Sequence, residues 1–328
     1  MRAPSSMSVS IDLILQASSF LEGRIRRTPV EYSPTLSERL GVDVWLKLEN
    51  LQITGSFKLR GALFALHKLK QQGIERVATC SAGNHGRGMA YAAREMGMDV
   101  IIFVPASVDP VKTAAMKRNG ADVRLSAFAG YDETEKWALD ECNRLGLRFI
   151  SAFDDPFVMA ANGGSIAMEV EAQVPDARIF LMPVGGGGHA AGFAYWMKER
   201  RADTRIVACQ HRDSAALKAS MEAGRAITEM PAIETLAGGL EGGLGRNTFE
   251  ILRDLVDDVR LVDEQALRHA MRWMVDEHQI IMEGSCAVAV AAALDEAFPK
   301  PSAPVVLFIS GRNIARSTLL DVLAEQDA

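Results

Sequence analysis

Short runs of β-branched and other apolar residues alternate along this chain with longer stretches in which apolar residues recur every three or four positions. Runs of the first kind are typical of buried strands, and stretches of the second kind are typical of amphipathic helices. Their alternation predicts an α/β fold with a largely parallel sheet. The predicted strands cover residues 44–48, 76–79, 100–104, 122–125, 148–150, 179–184, 206–210 and 305–309.

Eight helices are predicted between these strands. In the first of them, Leu59, Leu63, Leu66 and Leu69 repeat with helical spacing. The fifth should stop before Pro175, because a residue that precedes proline disfavours the helical conformation. The predicted helices cover residues 57–71, 85–95, 110–119, 132–145, 156–174, 189–200, 264–278 and 283–296.

One lysine, Lys58, lies at the start of a predicted helix and follows a polar turn that contains Gly55. Phe57 offers an apolar surface beside it, and Gly61 permits close approach of another backbone. A surface lysine on an amphipathic helix is the simpler interpretation of a lysine taken alone. A reactive lysine must be partly desolvated, so that its pKa falls and the free amine is available. These neighbours favour the reactive lysine.

The segment from Ser81 to Gly86 joins a predicted strand to a predicted helix. Backbone N–H groups at such a junction, together with the positive end of the helix, can bind an anionic carboxylate. A plain turn between strand and helix is the alternative interpretation. The sequence of this segment alone leaves both open.

Four consecutive glycines, Gly185 to Gly188, follow another predicted strand and precede a helix. Their amides can converge on a phosphate group at the helix N-terminus. A nucleotide P-loop would end in Gly-Lys-Ser/Thr, whereas His189 follows the glycines here. A dinucleotide-binding turn fits loosely, but the next strand ends in Gln210 instead of the acidic residue that binds ribose. The phosphate of another cofactor is therefore the better interpretation.

The composition is that of an ordinary soluble enzyme, with 48% hydrophobic and 24% charged residues. A net charge of −6 without a dominant basic patch argues against nucleic acid as the main partner. The longest apolar run, residues 286–294, is too short to span a bilayer, so we expect no membrane association. The four cysteines are scattered and the six histidines lack ligand spacing, which predicts reduced thiols, a cytoplasmic location and no metal site.

The chain closely resembles the serine/threonine dehydratase family in the segment around the family's cofactor lysine. That segment reads Lys47-Leu48-Glu49-Asn50-Leu51-Gln52, then Thr54-Gly55-Ser56-Phe57-Lys58-Leu59-Arg60-Gly61-Ala62. The resemblance extends from about Arg27 to Asn313, with the other motifs in the family's order. It implies pyridoxal 5'-phosphate as cofactor and the tryptophan-synthase-β-like fold (fold type II), an α/β architecture of two three-layer domains with mostly parallel sheets.

The resemblance further implies how the chain is organised and which residues act. We expect a large domain from residues 1–48 and 144–328, a small mobile domain from residues 49–143, and a homodimer. Lys58 is the expected catalytic residue, joined to the cofactor as a Schiff base. The residues expected to bind the cofactor are Phe57, Lys58, Asn84, Gly185, Gly186, Gly187, Gly188 and Ser310. Those expected to bind a small-molecule amino-acid substrate are Ser81, Ala82, Gly83, Asn84, His85 and Gly239.

The expected reaction is dehydration and deamination of a 3-hydroxy amino acid to a 2-oxo acid and ammonia. In the family, a serine hydroxyl in the place of Ser310 faces the cofactor's ring nitrogen, and a hydroxyl there favours elimination over transamination. Serine racemases have a second acid–base serine where this chain has Ala82. β-Replacement enzymes usually have threonine after the asparagine, where this chain has His85. A racemase and a non-catalytic relative that only binds the cofactor are the alternatives.

Threonine or serine is the expected substrate, with a bulkier 3-hydroxy amino acid as the alternative. Dehydratases commonly have Asp in the place of Gly238, and serine racemases carry hydroxyls where Gly242 and Gly243 stand. We hypothesise that the missing side chains make room for a larger β-substituent, as in 3-hydroxyaspartate, an aryl-serine or a hydroxyectoine-derived compound. The same stretch resembles the hydroxyectoine-utilisation dehydratases. Arg312 replaces a glycine of many relatives, and Gln210 replaces an acidic residue of those that bind a cation.

Overall fold

The computed structural model describes residues 9–108 and 110–325, without the side chain of Val111. Residues 1–8, which belong to the predicted large domain, lie outside the described part. Ten strands lie within it. They are β1 (Val30–Tyr32), β2 (Val44–Lys47), β3 (Arg76–Cys80), β4 (Asp99–Val104), β5 (Asp122–Leu125), β6 (Arg148–Phe149), β7 (Ile179–Pro183), β8 (Arg205–His211), β9 (Asp258–Val262) and β10 (Val305–Phe308).

The strands form two sheets. One sheet has six strands in the order β1-β2-β10-β7-β8-β9, and the other has four in the order β5-β4-β3-β6. Among the described ladders, the β1–β2 pair is antiparallel and the other pairs are parallel. All eight predicted strands are present, and the expectation of mostly parallel sheets is confirmed. The four-stranded sheet includes β6, which follows the predicted small domain in the sequence.

Fourteen α-helices lie in the same described ranges. They are α1 (Ile11–Leu21), α2 (Pro34–Leu40), α3 (Lys58–Gln71), α4 (Asn84–Met96), α5 (Pro110–Lys117), α6 (Tyr131–Leu145), α7 (Pro156–Met159), α8 (Ser165–Gln173), α9 (Gly188–Arg200), α10 (Ala216–Ala223), α11 (Arg246–Leu255), α12 (Glu264–His278), α13 (Gly284–Leu294) and α14 (Arg316–Ala324). In the described part of the chain, none is both long and apolar enough to cross a membrane.

Side chains of the central strands alternate between two apolar cores. Phe180 and Met182 of β7 pack into one core, whereas Ile179 and Leu181 pack into the other. In the four-stranded sheet, Ile102 of β4 packs into the first of these cores, whereas Ile101 packs into a third, smaller apolar cluster. Because helices cover both faces of each sheet, each sheet is the middle of three layers. The first core is shared by both sheets and joins them.

The prediction of one continuous helix over residues 156–174 was wrong. A five-residue π-helix, Ala160–Gly164, separates α7 from α8. It packs backbone to backbone against α9, and a Cβ atom added to Gly163 would lie 2.2 Å from the carbonyl oxygen of His189. Apolar residues lie on both sides of this segment, from Phe157 to Met159 and at Ile166, and their periodicity gave no sign of the change in helical winding.

Two strands and five helices lack a predicted counterpart. β1 has three residues, and β9 carries the charged residues Asp258 and Arg260 at the edge of its sheet. Both strands are short and polar, and neither contains the apolar run by which the other strands were identified in the sequence. The helices without a counterpart are α1, α2, α10, α11 and α14.

A cluster of four charged side chains is buried where β2, α3 and α8 meet. Arg60 is fully buried and contacts Glu49 (2.7 Å) and Glu169 (2.7 Å). Lys47, also fully buried, contacts Glu169 at 2.6 Å and donates a hydrogen bond to the carbonyl of Thr28 (2.8 Å). Burial alone would raise the pKa of Glu49, but the charges of Arg60 and Lys47 hold it below its ordinary value.

Replacement of Arg60 by Met should lower the free energy of unfolding by about 3–5 kcal/mol, because Glu49 would stay buried without its partner. Urea denaturation followed by circular dichroism measures this loss. Arg253→Met is the matched control, since it removes an exposed ion pair with Glu250 (3.2 Å). It should reduce stability by less than about 1 kcal/mol. Equal losses in the two variants would contradict the prediction.

Candidate active site

Lys58 is the first residue of α3, and its amine donates a hydrogen bond to the carbonyl oxygen of Ala152 (3.0 Å). The amine lies 5.1 Å from the centre of the Phe57 ring. Burial lowers the pKa of Lys58 to about 8, against the opposing attraction of the Glu283 carboxylate. The uncharged amine, the form that acts as nucleophile or base, is therefore available near pH 8.

The backbone before Lys58 is joined to the segment that follows β10. Ser56 forms an isolated β-bridge with Gly311, and the N–H of Phe57 donates to the carbonyl of Ser310 (3.2 Å). Gly55 has a φ of +80°, a left-handed conformation that favours glycine. The structure thus brings Lys58 and Ser310 together from positions far apart in the sequence.

The turn between β3 and α4 has Gly83 as its N-cap residue. Glycine has no side chain to cap the helix, so the first-turn N–H groups remain available to an anionic ligand. The hydroxyl of Ser81 accepts a hydrogen bond from the N–H of Gly83 (3.2 Å) and closes the turn. Ala82 is half-buried beside these groups. This geometry supports the carboxylate-binding interpretation of the turn.

Asn84 and His85 begin α4 and differ in their surroundings. The amide of Asn84 donates to the carboxylate of Glu283 (2.5 Å) and accepts from Asn313 (2.6 Å). His85 is buried, and burial together with the charge of Lys58 lowers its pKa to about 3. Its imidazole is therefore neutral at physiological pH. Glu283 is held in turn by the hydroxyl of Ser285 (2.9 Å).

The glycine turn at residues 185–188 leads from β7 into α9. A Cβ atom on Gly186 would lie 2.2 Å from the Phe153 ring, and one on Gly188 would lie 2.4 Å from the Phe153 carbonyl oxygen. Phe153 follows Ala152, the residue that binds the Lys58 amine. Both positions favour glycine, because the Phe153 ring leaves no room for a side chain at Gly186 and the Phe153 backbone leaves none at Gly188. The turn therefore lies close to Lys58.

Gly239 and His189 lie on either side of the glycine turn. A Cβ atom on Gly185 would be 2.5 Å from the carbonyl oxygen of Gly239, which itself has a φ of +88°. His189 stacks on the ring of Phe57 with centroids 4.7 Å apart. Its buried Nε2 has no hydrogen-bond partner among the described residues. Burial lowers the pKa of His189 to about 3, so this imidazole is also neutral.

Ser310 lies two residues after β10 and contacts a cysteine. Its hydroxyl lies 3.2 Å from the sulfur of Cys286 in α13. That sulfur also accepts a hydrogen bond from the N–H of Gly311 (3.0 Å). Burial raises the pKa of the Cys286 thiol to about 12, so it is uncharged. All four cysteines of the chain are buried and free.

Sequence reasoning missed four residues of this site. Phe153 and Ala152 follow β6, and the rule that ligands bind beyond the carboxyl ends of parallel strands would have pointed to them. Asn313 accepts a hydrogen bond from Arg87 and donates one to the carbonyl of Thr54 (3.0 Å). Cys286 had no signal beyond its position near Glu283 in the sequence.

Gln210, in the place of a cation-binding acid, is engaged within the protein. Its side-chain amide donates to the carbonyl of Val184 (3.1 Å) and accepts from the N–H of Lys218 (3.2 Å). Within the described part of the chain, no cluster of three histidine, cysteine or acidic residues has a geometry that could hold a metal ion.

Acylation of Lys58 in the cofactor-free protein should reach half of its maximal rate near pH 8, because burial favours the uncharged amine. The rate should rise as pH increases through this value, since deprotonation creates the reactive form. Peptide mapping by mass spectrometry after brief treatment with an acylating reagent measures each lysine separately. Lysines of short unstructured peptides serve as the reference, with midpoints near the ordinary lysine value of about 10.4. A midpoint for Lys58 equal to theirs would contradict the prediction.

Several relatives match this chain over most of its length. Residues 21–311 match the protein family described as pyridoxal-phosphate dependent enzyme. An L-threonine ammonia-lyase of Geobacter sulfurreducens is 37% identical over 94% of this chain and 76% of its own. A catabolic L-threonine dehydratase of Escherichia coli is 33% identical, with 98% of each chain covered.

Two solved structures resemble this chain in three dimensions. A serine racemase from maize has a TM-score of 0.89 and 30% identity, covering 96% of this chain and 97% of its own. Threonine deaminase isoform 2 of Solanum lycopersicum has a TM-score of 0.85 and 31% identity, covering 98% of this chain and 90% of its own. These matches confirm the fold type II architecture. The chain belongs to the pyridoxal-phosphate-dependent enzymes, within the group that includes the serine/threonine dehydratases.

Proposed function

We propose that this protein dehydrates and deaminates a 3-hydroxy amino acid, with a 2-oxo acid and ammonia as products. L-Threonine is the first candidate, because the Geobacter and Escherichia relatives are named for that substrate. The observation that supports the proposal is a set of contacts that links four groups of the site. The Lys58 amine binds the carbonyl of Ala152, next to the Phe153 that packs on the glycine turn, and the neighbouring Phe57 binds Ser310. Asn84, at the uncapped end of α4, binds Glu283 and Asn313 beside the same segment.

The site suits pyridoxal phosphate. The turn from Gly185 to Gly188 is bare of side chains and opens α9, so its amides and the helix end can bind the phosphate group. Asn84 has a second amide hydrogen beyond the one given to Glu283, and it can donate this to the ring oxygen. We assign the ring nitrogen to the hydroxyl of Ser310. When bound, the cofactor withdraws electrons from the α-carbon of the substrate.

Lys58 has two roles in this proposal. Its amine would hold the cofactor, as a Schiff base, and then remove the proton from the α-carbon of the substrate. A pKa of about 8, lowered by burial, supports both roles because the amine is easily deprotonated. The backbone N–H groups of Asn84 and His85, in the uncapped first turn of α4, would bind the substrate carboxylate, and the His85 imidazole is uncharged and buried. Ala82 has no acid–base group, which favours elimination over racemisation.

The glycine-rich stretch supports part of the larger-substrate alternative. Side chains added to Gly238 or Gly242 would meet nothing within 4 Å, so both positions face open space. The missing side chain at Gly243 makes no room, because a Cβ atom there would lie 2.0 Å from the carbonyl of Thr228. A larger β-substituent would thus be accommodated beside Gly238 and Gly242.

The organisation around the site is also part of the proposal. We infer that residues 49–143 form a small domain that moves against the rest and closes the site over the substrate. The sheet order supports such a division, because β3, β4 and β5 pair with one another and with β6 but not with the strands of the larger sheet. We further propose a homodimer in the cytoplasm.

Incubation of the holoenzyme with a panel of amino acids should release a 2-oxo acid and ammonia from L-threonine or from a bulkier 3-hydroxy amino acid. Lys58→Ala should reduce this rate at least about 10²–10⁴-fold, because the α-proton loses its base. Lys218→Ala, on an exposed helix face, is the matched control. Chiral chromatography of the same mixtures tests the alternatives. A D-amino acid without 2-oxo acid would identify a racemase, and a bound cofactor without turnover of any substrate would indicate a binding protein.

Gly186→Ala should weaken the affinity for pyridoxal phosphate by about tenfold or more, because its methyl group would displace Phe153 and the turn beside it. Fluorescence titration of the cofactor-free protein measures the dissociation constant. Gly238→Ala is the control from another glycine-rich turn, since its methyl group would meet no neighbour within 4 Å. Equal affinities in the two variants would remove the glycine turn from the proposed phosphate site.

A further inference from the structure

The π-helix at Ala160–Gly164 lies between the two helices that carry the proposed cofactor-binding groups. On one side is α3, which begins at Lys58, and on the other is α9, which begins at Gly188. π-Helices are rare, and those that occur within α-helices are frequently found at functional sites. The contacts of this π-helix with α3 and α9 therefore show which parts of the structure it holds in place.

Towards α3, the contact is a single buried hydrogen bond. The side-chain oxygen of Asn162, a residue only 1% exposed, accepts from the N–H of Gly61 at 2.8 Å. In a regular α-helix the N–H of Gly61 would donate to the carbonyl of Phe57. That carbonyl accepts a hydrogen bond from the N–H of Arg60 (3.0 Å). Asn162 thus satisfies an amide in the first turn of the helix that begins at Lys58.

Asn162 and Gly61 also fit one another by shape. A Cβ atom on Gly61 would lie 2.7 Å from the amide nitrogen of Asn162, so the Asn162 side chain rests against the helix backbone. Ser165 and Glu169 lie on the same side of the segment and both bind Arg60, at 3.1 Å and 2.7 Å. The first turn of α3 is therefore held at consecutive residues by one neighbouring segment.

Towards α9, the contact is backbone against backbone. A Cβ atom on Gly163 would lie 2.5 Å from the N–H nitrogen of Phe193, and one on Gly192 would lie 2.0 Å from the carbonyl oxygen of Met159. Such contacts leave little freedom to slide, because close-packed backbone cannot adjust as side chains do. The π-helix is thus fixed to the helix that opens at the glycine turn.

We propose that Asn162 is a positioning residue that sets the distance between the Lys58 amine and the glycine turn. It acts through the first turn of α3 and touches neither substrate nor cofactor. The inference rests on the proposed function only for the roles of Lys58 and the glycine turn. Loss of the Asn162 contact would leave a buried N–H without a partner and free the helix end to shift.

Asn162→Ala is the direct test, with Ser37→Ala as a matched control. Ser37 likewise accepts a hydrogen bond from a buried backbone N–H, that of Val44 (2.9 Å), but it lies in α2, away from Lys58. Both variants should show a lowered urea midpoint. Asn162→Ala alone should shift the midpoint of Lys58 acylation in the cofactor-free protein towards higher pH, because a displaced amine is better hydrated.

The same variant should weaken pyridoxal phosphate binding and reduce kcat about 10-fold to 100-fold with little change in KM, as expected for a misplaced base. Asn162→Asp, which keeps an acceptor oxygen, should restore part of the affinity. Gly61→Ala provides an independent variant if Asn162→Ala fails to fold, since its methyl group would push Asn162 away while the Asn162 amide is retained.

An Asn162→Ala protein that loses stability as Ser37→Ala does, with an unchanged Lys58 midpoint and unchanged cofactor affinity, would overturn the positioning role. Failure of the proposed function gives a different result. In that case the wild-type protein would turn over no amino acid, whereas the Lys58 midpoint and the cofactor affinity would still report whether Asn162 sets the position of Lys58.

Discussion

The placement of Lys58 depends on the charges that the fold buries around Arg60. A guanidinium or carboxylate without a partner in an apolar interior is unstable by several kcal/mol, so the members of this cluster are tolerated only in mutual contact. Arg60 comes from α3, Glu49 follows β2, and Glu169 comes from α8. Because these three side chains must stay in contact, the first turn of α3 is fixed against the six-stranded sheet. Lys58, two residues before Arg60, is fixed with it.

Because that helix end is fixed and half-buried, desolvation decides the protonation state of Lys58. Glu283 acts in the opposite direction, but burial also raises the pKa of Glu283, which limits the negative charge that it presents. His85 and His189 are neutral at physiological pH, since burial lowers the pKa of each to about 3. The two imidazoles near Lys58 therefore carry no charge. Its reactivity follows from burial rather than from a neighbouring base.

Much of the site could be predicted because glycine and polar residues stand directly after apolar runs. Ser81 follows β3, Gly185 follows β7 and Ser310 follows β10, and parallel strands bring their carboxyl ends to one edge. The π-helix and Asn162 could not be predicted in this way. An amide that accepts from a distant backbone N–H leaves no periodic pattern, and the apolar sequence around it fits an ordinary helix equally well. The pair Gly163 and Gly164 was the one local hint, because adjacent glycines within a helix usually mark a close contact.

The groups around Ser310 bear on the type of reaction that this site would favour. Its hydroxyl contacts the thiol of Cys286, and burial keeps that thiol uncharged by raising its pKa to about 12. The sulfur is held by the N–H of Gly311, so the thiol and the hydroxyl form one neutral unit at the end of β10. In the proposed function this neutral unit would face the ring nitrogen of the cofactor. It would not stabilise a positive ring nitrogen as a carboxylate would, so the ring would be a weaker electron sink. A weak sink suits elimination, because the leaving group departs before much negative charge collects on the α-carbon. In the proposed function Cys286 would therefore act in the same direction as Ser310.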